Sequence, residues 1–437
     1  MSTFPSDIFA GRRFAVVGLG KNGLPAARGL MAMGASVTAW DDKPDARSAA
    51  SGIRLQDPLI GAFDFDALVL SPGIPHRLPA AHQAAERARA AGVPILADVE
   101  LLYQAVRATG SRARFAGITG TNGKSTTTAL LAHILDTACL PVAAGANLGP
   151  ASLSLPLLPH HGVYVLEMSS YMLERLATLR FDVAAMLNLS ADHLDRHGDM
   201  AGYARAKRAI FDRQTEADLA VVGVDDAESR VMADGLVDRP AQVVRISGFD
   251  TTLPLGAALP GAHNAQNAAA ATAMARFLGA PDAAIAKGLL NFPGLPHRQQ
   301  RIVTIEGITF VNDSKATNAD ASERALVCYD RLVWIAGGMA KEGGIEPLVP
   351  LFPRIAKALL IGRNAPQFAE TLTREGVPFD MMSTLDAAVP AAFAAAKATD
   401  SPVVLLSPAC ASWDQFTGYD QRGDRFAELA RSLQGGA

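Results

Sequence analysis

Short apolar runs alternate with Ala- and Leu-rich stretches of helical length along nearly the whole chain. Arg13–Val17, Ser36–Trp40, Ala67–Leu70 and Pro94–Leu96 read as strands, with helices between them over about 23–33 and 80–91. The runs are apolar without strict alternation, which marks strands buried on both faces of a parallel sheet. The pattern resumes at Phe115–Ile118, Val163–Glu167, Val183–Leu187 and Asp218–Val224, and again at Leu332–Ala336, Ala358–Ile361 and Val403–Leu406. Two strand-like runs flank Glu306-Gly307 within Arg301–Val311. Most runs end in Gly, Ser, Pro or a polar cluster, where open α/β sheets carry their ligands. The pattern predicts an α/β protein of three domains: a Rossmann-like domain over 1–107, a central P-loop ATPase-like domain with a parallel or mixed sheet over 108–298, and a second Rossmann-like domain over 299–437. Ala108–Arg112 is the expected first linker.

Composition narrows the class. The chain has 437 residues, 49% hydrophobic and 19% charged, with a net charge of −3. That excludes disorder, and the lack of a basic excess argues against nucleic acid as a partner. Cys139, Cys328 and Cys410 are too far apart for a zinc site, and are expected to be reduced and buried. There is no secretory-type leader, and no apolar stretch approaches the ~18 residues of a membrane span. The expectation is a soluble cytoplasmic protein.

The chemistry centres on Gly120-Thr121-Asn122-Gly123-Lys124-Ser125-Thr126, between a strand and a helix. Backbone N–H groups of such a turn cradle phosphates, the helix N-terminus adds positive potential, and the Lys reaches the terminal phosphates. The usual P-loop pattern wants Gly where Ile118 stands. Upstream, Gly18-Leu19-Gly20-Lys21-Asn22-Gly23, with Asp41 following the next strand, is a complete G-x-G-x-x-G with its acid about twenty residues on. It makes a nicotinamide dehydrogenase a rival reading. Ser71-Pro72-Gly73 closes the next strand and could line the same crevice. Glu167 ends a strand, where a carboxylate can serve Mg²⁺. Asn188–His197 is densely polar after a buried strand, and His193 sits among acids. By composition alone Lys207 is a solvated helix residue. Asn264 and Asn267, three apart, share a helix face.

Together these motifs resemble the Mur ligases, the ATP-dependent amino-acid ligases of peptidoglycan assembly. The family's own phosphate loop is Gly-Thr-Asn-Gly-Lys-Ser-Thr, which accounts for Ile118. The resemblance extends to Glu167-Met168-Ser169-Ser170, Asp192-His193-Leu194-Asp195, Gly261-Ala262-His263-Asn264, Pro296-His297-Arg298 and Asn312-Asp313-Ser314-Lys315. Asn312–Asn318 and Ser407–Ser412 look like the branch that adds glutamate to UDP-N-acetylmuramoyl-L-alanine. The resemblance implies a UDP-binding first domain, which demotes the dehydrogenase. It implies joining of D-glutamate through an acyl phosphate, with ATP and two Mg²⁺ ions, by a monomer.

Residue by residue, the resemblance makes Lys124, His193 and Lys207 catalytic. Ser125 and Glu167 would help hold one Mg²⁺ with His193 near the second, and a carbamylated Lys207 would be a further oxygen ligand. Residues 120–126 with Asn264, Asn267, Arg298 and Asp313 would bind ATP. Gly20, Lys21, Asn22, Gly23, Asp41, Lys43, Ser71, Gly73 and Asn147 would line the UDP-sugar path. Thr317, Lys341, Ser412 and Tyr419 would receive glutamate. The chain departs from the family at Met172 and Met339, where Gln and Asp are usual, at Gln300 where Glu is usual, and at Trp413 and Tyr419. The last two bear on the amino-acid pocket and leave L-glutamate as an alternative. Another Mur or folylpolyglutamate-type ligase, or a non-catalytic nucleotide-binding protein, are the other readings.

Overall fold

The computed structural model describes residues 3–250, 252–339 and 344–436. Three sheets follow one another along the chain. The first holds β1 (Arg13–Val17), β2 (Ser36–Trp40), β3 (Arg54–Leu55), β4 (Ala67–Leu70) and β5 (Ile95–Leu96), all parallel, in the order β3-β2-β1-β4-β5. This is a Rossmann-type order whose switch point lies between β1 and β4, and the Gly18–Gly23 loop and the Ser71–Gly73 turn flank it.

The second sheet holds β6 (Arg114–Thr119), β7 (Val142–Ala146), β8 (Val163–Glu167), β9 (Val183–Met186), β10 (Leu219–Gly223) and β11 (Gln242–Ile246). Its order is β11-β10-β9-β6-β8-β7, parallel throughout. The third holds β12 (Gln300–Ile305), β13 (Ile308–Asn312), β14 (Leu332–Gly337), β15 (Ile355–Ile361), β16 (Phe379–Ser383) and β17 (Val403–Leu406), in the order β12-β13-β17-β14-β15-β16. Only β12 runs antiparallel, because the Glu306-Gly307 turn makes it a hairpin with β13. The strands β4, β8, β9, β10, β14 and β17 are buried along their whole length, as their unbroken apolar runs require.

The chain forms two compact units, residues 1–254 with 264–291, and residues 255–263 with 292–437. The first two sheets therefore belong to one unit. Buried Glu100, on the helix Asp98–Ala108 beside the first sheet, fastens them. Its carboxylate accepts the backbone N–H groups of Ala177, Thr178 and Leu179 at 3.0, 2.9 and 2.9 Å. Carboxylate bonds of this kind are about twice as strong as neutral ones. All three cysteines are free, but only Cys410 is buried; Cys139 is exposed, contrary to expectation. It sits past the helix Lys124–Thr137, at φ 57°, where the chain turns toward β7 and leaves the core. Among the described residues no helix is long and apolar enough to cross a membrane.

Candidate active site

In the second sheet β6 pairs with both β8 and β9, so three strand ends meet at one edge. Ile118 is in register with Glu167, and Thr119 with Met186. The phosphate loop leaves β6 there and enters the helix Lys124–Thr137. Gly123 caps that helix at φ 84°, and a Cβ on it would lie 2.3 Å from Asn267 Oδ1. The position needs glycine on both counts. Asn267 Nδ2 donates to Asn264 Oδ1 at 3.1 Å, so the two asparagines do share a face, and that face meets the loop. Asn188, after β9, completes the cradle: its Oδ1 accepts the Asn122 N–H at 2.8 Å and its Nδ2 donates to Asn122 O at 3.1 Å.

Lys124 Nζ donates to the carbonyls of Gly120 and Thr121 at 2.9 and 2.7 Å, folded over its own loop. Lys207 is 2% exposed, its Nζ donates to Gly120 O at 2.7 Å, and it lies 4.6 Å from the centre of the Tyr203 ring. Burial and then the Lys124 charge drive its pKa well below the usual lysine value, against the pull of Asp192 and Glu167. This corrects the compositional expectation of a solvated residue. His193 sits at φ 54°, with Asp192 at 3.4 Å and the Tyr171 ring at 5.2 Å. Burial, with Lys124 and Lys207, lowers its pKa despite Asp192. Lys124, Lys207, His193, Asp192, Asn147, Ser169, Ser170, Tyr171 and Tyr203 line an open pocket of about 270 Å³, together with Pro72 and Gly73 of the first sheet.

Glu167 is 2% exposed; Oε1 accepts from Asn147 Nδ2 at 2.7 Å, and buried Oε2 has no hydrogen-bond partner. A buried carboxylate oxygen left open beside a phosphate loop suits a hard cation. Among the described residues no three His, Cys, Asp or Glu side chains form a ready-made metal cage. Ser125 is buried on the first turn of the helix, and Thr126 follows it, half-buried.

At the first sheet a Cβ on Gly23 would fall 1.7 Å from Gly18 O, so glycine is needed for the helix to approach the strand. Gly20 faces open space. Asn22 carries a buried Nδ2 without a partner, while Lys21 and Lys43 are exposed. Asp41 Oδ2 accepts the Leu19 N–H of the glycine loop at 2.7 Å, and its Oδ1 accepts the Lys43 N–H at 2.9 Å. Ser71 Oγ donates to Gly18 O at 3.0 Å, joining the two turns.

The second unit has its own polar edge, where β17 lies between β13 and β14. Asp313 follows β13, accepting from Ser407 Oγ at 2.8 Å and from the Gln299 N–H at 3.2 Å. Burial pushes its pKa up to about 7, against those bonds and the Arg298 charge. Lys315 Nζ donates to Tyr419 Oη at 3.0 Å. Ser412 is buried beside Ala411, which pairs with Met339, whereas Trp413 is 69% exposed. Thr317 is half-buried, and Lys341 lies outside the described residues. Met172 is fully buried. Gln300 Oε1 accepts the His297 N–H at 3.2 Å.

Sequence reasoning missed Tyr171, Tyr203, Asn188 as a loop clamp, and Arg422. Arg422 is 1% exposed; it donates to Ser314 Oγ, Ser314 O and Cys410 O at 2.9, 2.8 and 3.0 Å, tying the Asp313 turn to the Ser412 loop. Only the polar run from Asn188 was visible as a signal; a lone tyrosine or arginine on a helix gives none.

A Rossmann-type sheet, then a parallel sheet with a Gly-Lys-Ser loop at the end of an inner strand, then a third α/β sheet, in that order along the chain, define a Mur-type ligase. Residues 118–252 match the family profile of the Mur ligase middle domain. The UDP-N-acetylmuramoylalanine–D-glutamate ligase of Paramagnetospirillum magneticum is 50% identical over 457 residues, covering 98% of this chain and 99% of that protein. The protein of the same name from Rhodospirillum rubrum is 46% identical, covering 97% and 95%. The chain belongs to this glutamate-ligase family of the Mur ligases. Among solved structures, the UDP-N-acetylmuramate–alanine ligase MurC of Thermotoga maritima shares the fold with a TM-score of 0.59 at 18% identity, covering 97% of this chain and all of that one. The FolC protein of E. coli, solved with ADP, gives 0.53 at 20% identity, covering 77% and 94%.

Proposed function

We propose that this chain is an ATP-dependent C–N ligase that joins D-glutamate to UDP-N-acetylmuramoyl-L-alanine, a step of peptidoglycan precursor synthesis. The observation that carries the reading is the open Oε2 of Glu167 beside the Lys124 loop, in a chain half identical to a ligase of that name. A carboxylate is a poor electrophile. The substrate carboxylate therefore attacks the γ-phosphorus of ATP, ADP leaves, and an acyl phosphate forms. The amine of glutamate then attacks the acyl carbon, phosphate leaves, and the amine proton is lost.

Charge builds on phosphoryl oxygens in the first step, and Lys124 with the loop N–H groups meets it. Ser125 and Glu167 would hold one Mg²⁺, with His193 near a second, and the ions would supply further neutralisation of phosphoryl charge. Lys207, as a carbamate, would add an anionic oxygen to that set. Asn264, Asn267, Arg298 and Asp313 hold the nucleotide; Gly20, Lys21, Asn22, Gly23, Asp41, Lys43, Ser71, Gly73 and Asn147 line the UDP-sugar path. Thr317, Lys341, Ser412 and Tyr419 receive the carboxylates of glutamate, where cations and hydroxyls suit an anion. The enzyme acts as a monomer in the cytoplasm. The test is phosphate release from ATP with UDP-N-acetylmuramoyl-L-alanine and D- or L-glutamate. Release with D-glutamate is expected. Release with L-glutamate alone would overturn the stereochemical assignment, and release with neither would overturn the reaction.

A further inference from the structure

The junction between the first two sheets holds a buried arginine for which the reaction above has no use. Arg175 follows the short helix Ser170–Leu173 and is 2% exposed. Its Nη1 donates to the carbonyls of Leu70 and Ser71 at 2.8 and 3.1 Å. Its Nη2 donates to Ile74 O at 2.7 Å, and its Nε to His76 Nδ1 at 3.3 Å. All three nitrogens are thus spent on the segment 70–76. Its own carbonyl accepts the Ala97 N–H at 3.1 Å, which anchors the arginine's backbone to the first sheet as well.

A second arginine holds the same turn. Arg196 donates to Gly73 O at 3.0 Å and lies 4.3 Å from the centre of the Tyr171 ring, which neighbours His193. Between them the arginines engage the carbonyls of Leu70, Ser71, Gly73 and Ile74. Glu174 supplies countercharge, 3.9 Å from His76 Nε2 and 3.4 Å from His197 Nδ1. Burying a guanidinium is costly, and well-packed apolar residues often seal a junction as stably. What the arginine gives in addition is a fixed, forked set of donors, able to hold several carbonyls in one geometry. The turn it holds contributes Pro72 and Gly73 to the wall of the pocket that Lys124 and Lys207 line.

We propose that Arg175 is a positioning residue that sets the place of the Ser71–Ile74 turn relative to the phosphate loop and so aims the UDP-sugar carboxylate at the phosphate. The proposal rests on the reading above for its substrate. Misplacement of about 1 Å by a change far from the chemistry can cost about 10²-fold in rate. The test compares Arg175→Met, which keeps bulk and loses every donor, with Arg175→Lys, which keeps the charge.

In Arg175→Met we expect KM for UDP-N-acetylmuramoyl-L-alanine to rise about tenfold, with a lower kcat and KM for ATP within about twofold of wild type. Arg175→Lys is expected to recover part of that loss. An unchanged KM for the UDP-sugar, or equal rises for both substrates, would overturn the proposal. If the wild-type protein itself does not turn over this substrate, the reading of function has failed, and amide hydrogen exchange decides the grip. Faster exchange confined to residues 70–76 in Arg175→Met supports it, and unchanged or global exchange overturns it. Should Arg175→Met not fold, Arg175→Lys and Arg175→Gln are scored by the same measurements against wild type.

Discussion

Lys207 and Lys124 bring their ammonium groups to one acceptor, the carbonyl oxygen of Gly120, at 2.7 and 2.9 Å. Two cations on one carbonyl repel each other, and the buried one yields. Lys207 therefore holds a neutral amine more readily than a surface lysine does. A neutral amine is a nucleophile toward CO₂, and a carbamate there would replace a repelling cation with an anion facing Lys124. We expect a ¹³C carbamate resonance on the wild-type protein in labelled bicarbonate and none in Lys207→Ala. That variant should lose activity by about 10²-fold or more, the scale set by removing one transition-state electrostatic group. Short-chain carboxylates should restore part of it. Full activity of the variant without any supplement would rule the carbamate out.

In the proposed reaction Lys124 would leave its own loop carbonyls to meet the reacting phosphate. Lys124→Ala should lower kcat by about 10²–10³-fold. Its Tm should stay within a few degrees of wild type, since Gly120 O keeps its bond from Lys207 and each lost hydrogen bond is worth about 1 kcal/mol. Turnover and thermal melting measured on the same preparation check the pair of expectations. Near-normal turnover would remove Lys124 from the mechanism.

Glu167 divides its labour between two oxygens. Oε1 holds Asn147, and Oε2 is buried without a partner. Glu167→Gln keeps an acceptor for Asn147 while replacing the anionic oxygen with an amide. The Mg²⁺ concentration for half-maximal activity should rise about tenfold or more, as one charged ligand of two or three is lost. A Mg²⁺ titration of turnover reads this directly, and an unchanged midpoint would assign Oε2 to something other than the metal.

The parts that could be read from the chain are those that local chemistry dictates. Gly123 must be glycine because its φ and its neighbour Asn267 both demand it, and Gly23 because Gly18 O lies in the way. Such constraints leave short motifs, and strand-loop-helix punctuation placed each motif at a strand end. Glu167 was legible because it closes an apolar run. Lys207 was not: its helix, Met200–Arg208, shows ordinary surface charge, and only the family resemblance marked it. Arg175 was invisible for a stronger reason. Its partners lie about a hundred residues earlier in the chain, and Glu174-Arg175 reads as an exposed pair at a helix end. Burial of that kind is decided by how two sheets meet, which no local pattern encodes.

Asp313 gives a prediction in pH. Its carboxyl is buried, with a pKa raised from 3.8 to about 7. Between those values the folded second unit holds a proton that the unfolded chain has released. Stability contributed by this group is therefore fully present below about pH 4, falls as pH rises, and levels off above about pH 7. The whole fall is at most about 4 kcal/mol, from 1.36 kcal/mol per pKa unit. Asp313→Asn removes the titration and still offers an oxygen to Ser407 Oγ, which now sits 2.8 Å away. In the absence of nucleotide, the melting temperature of the second unit should drop from pH 5 to pH 8 in the wild type and drop less in the variant. The variant should be the more stable protein at pH 8. Scanning calorimetry at the two pH values measures both, and subtracting the variant's change from that of the wild type removes every other titrating group. Parallel pH profiles would mean that Asp313 ionises without cost, with Arg298 supplying all the compensation its burial requires.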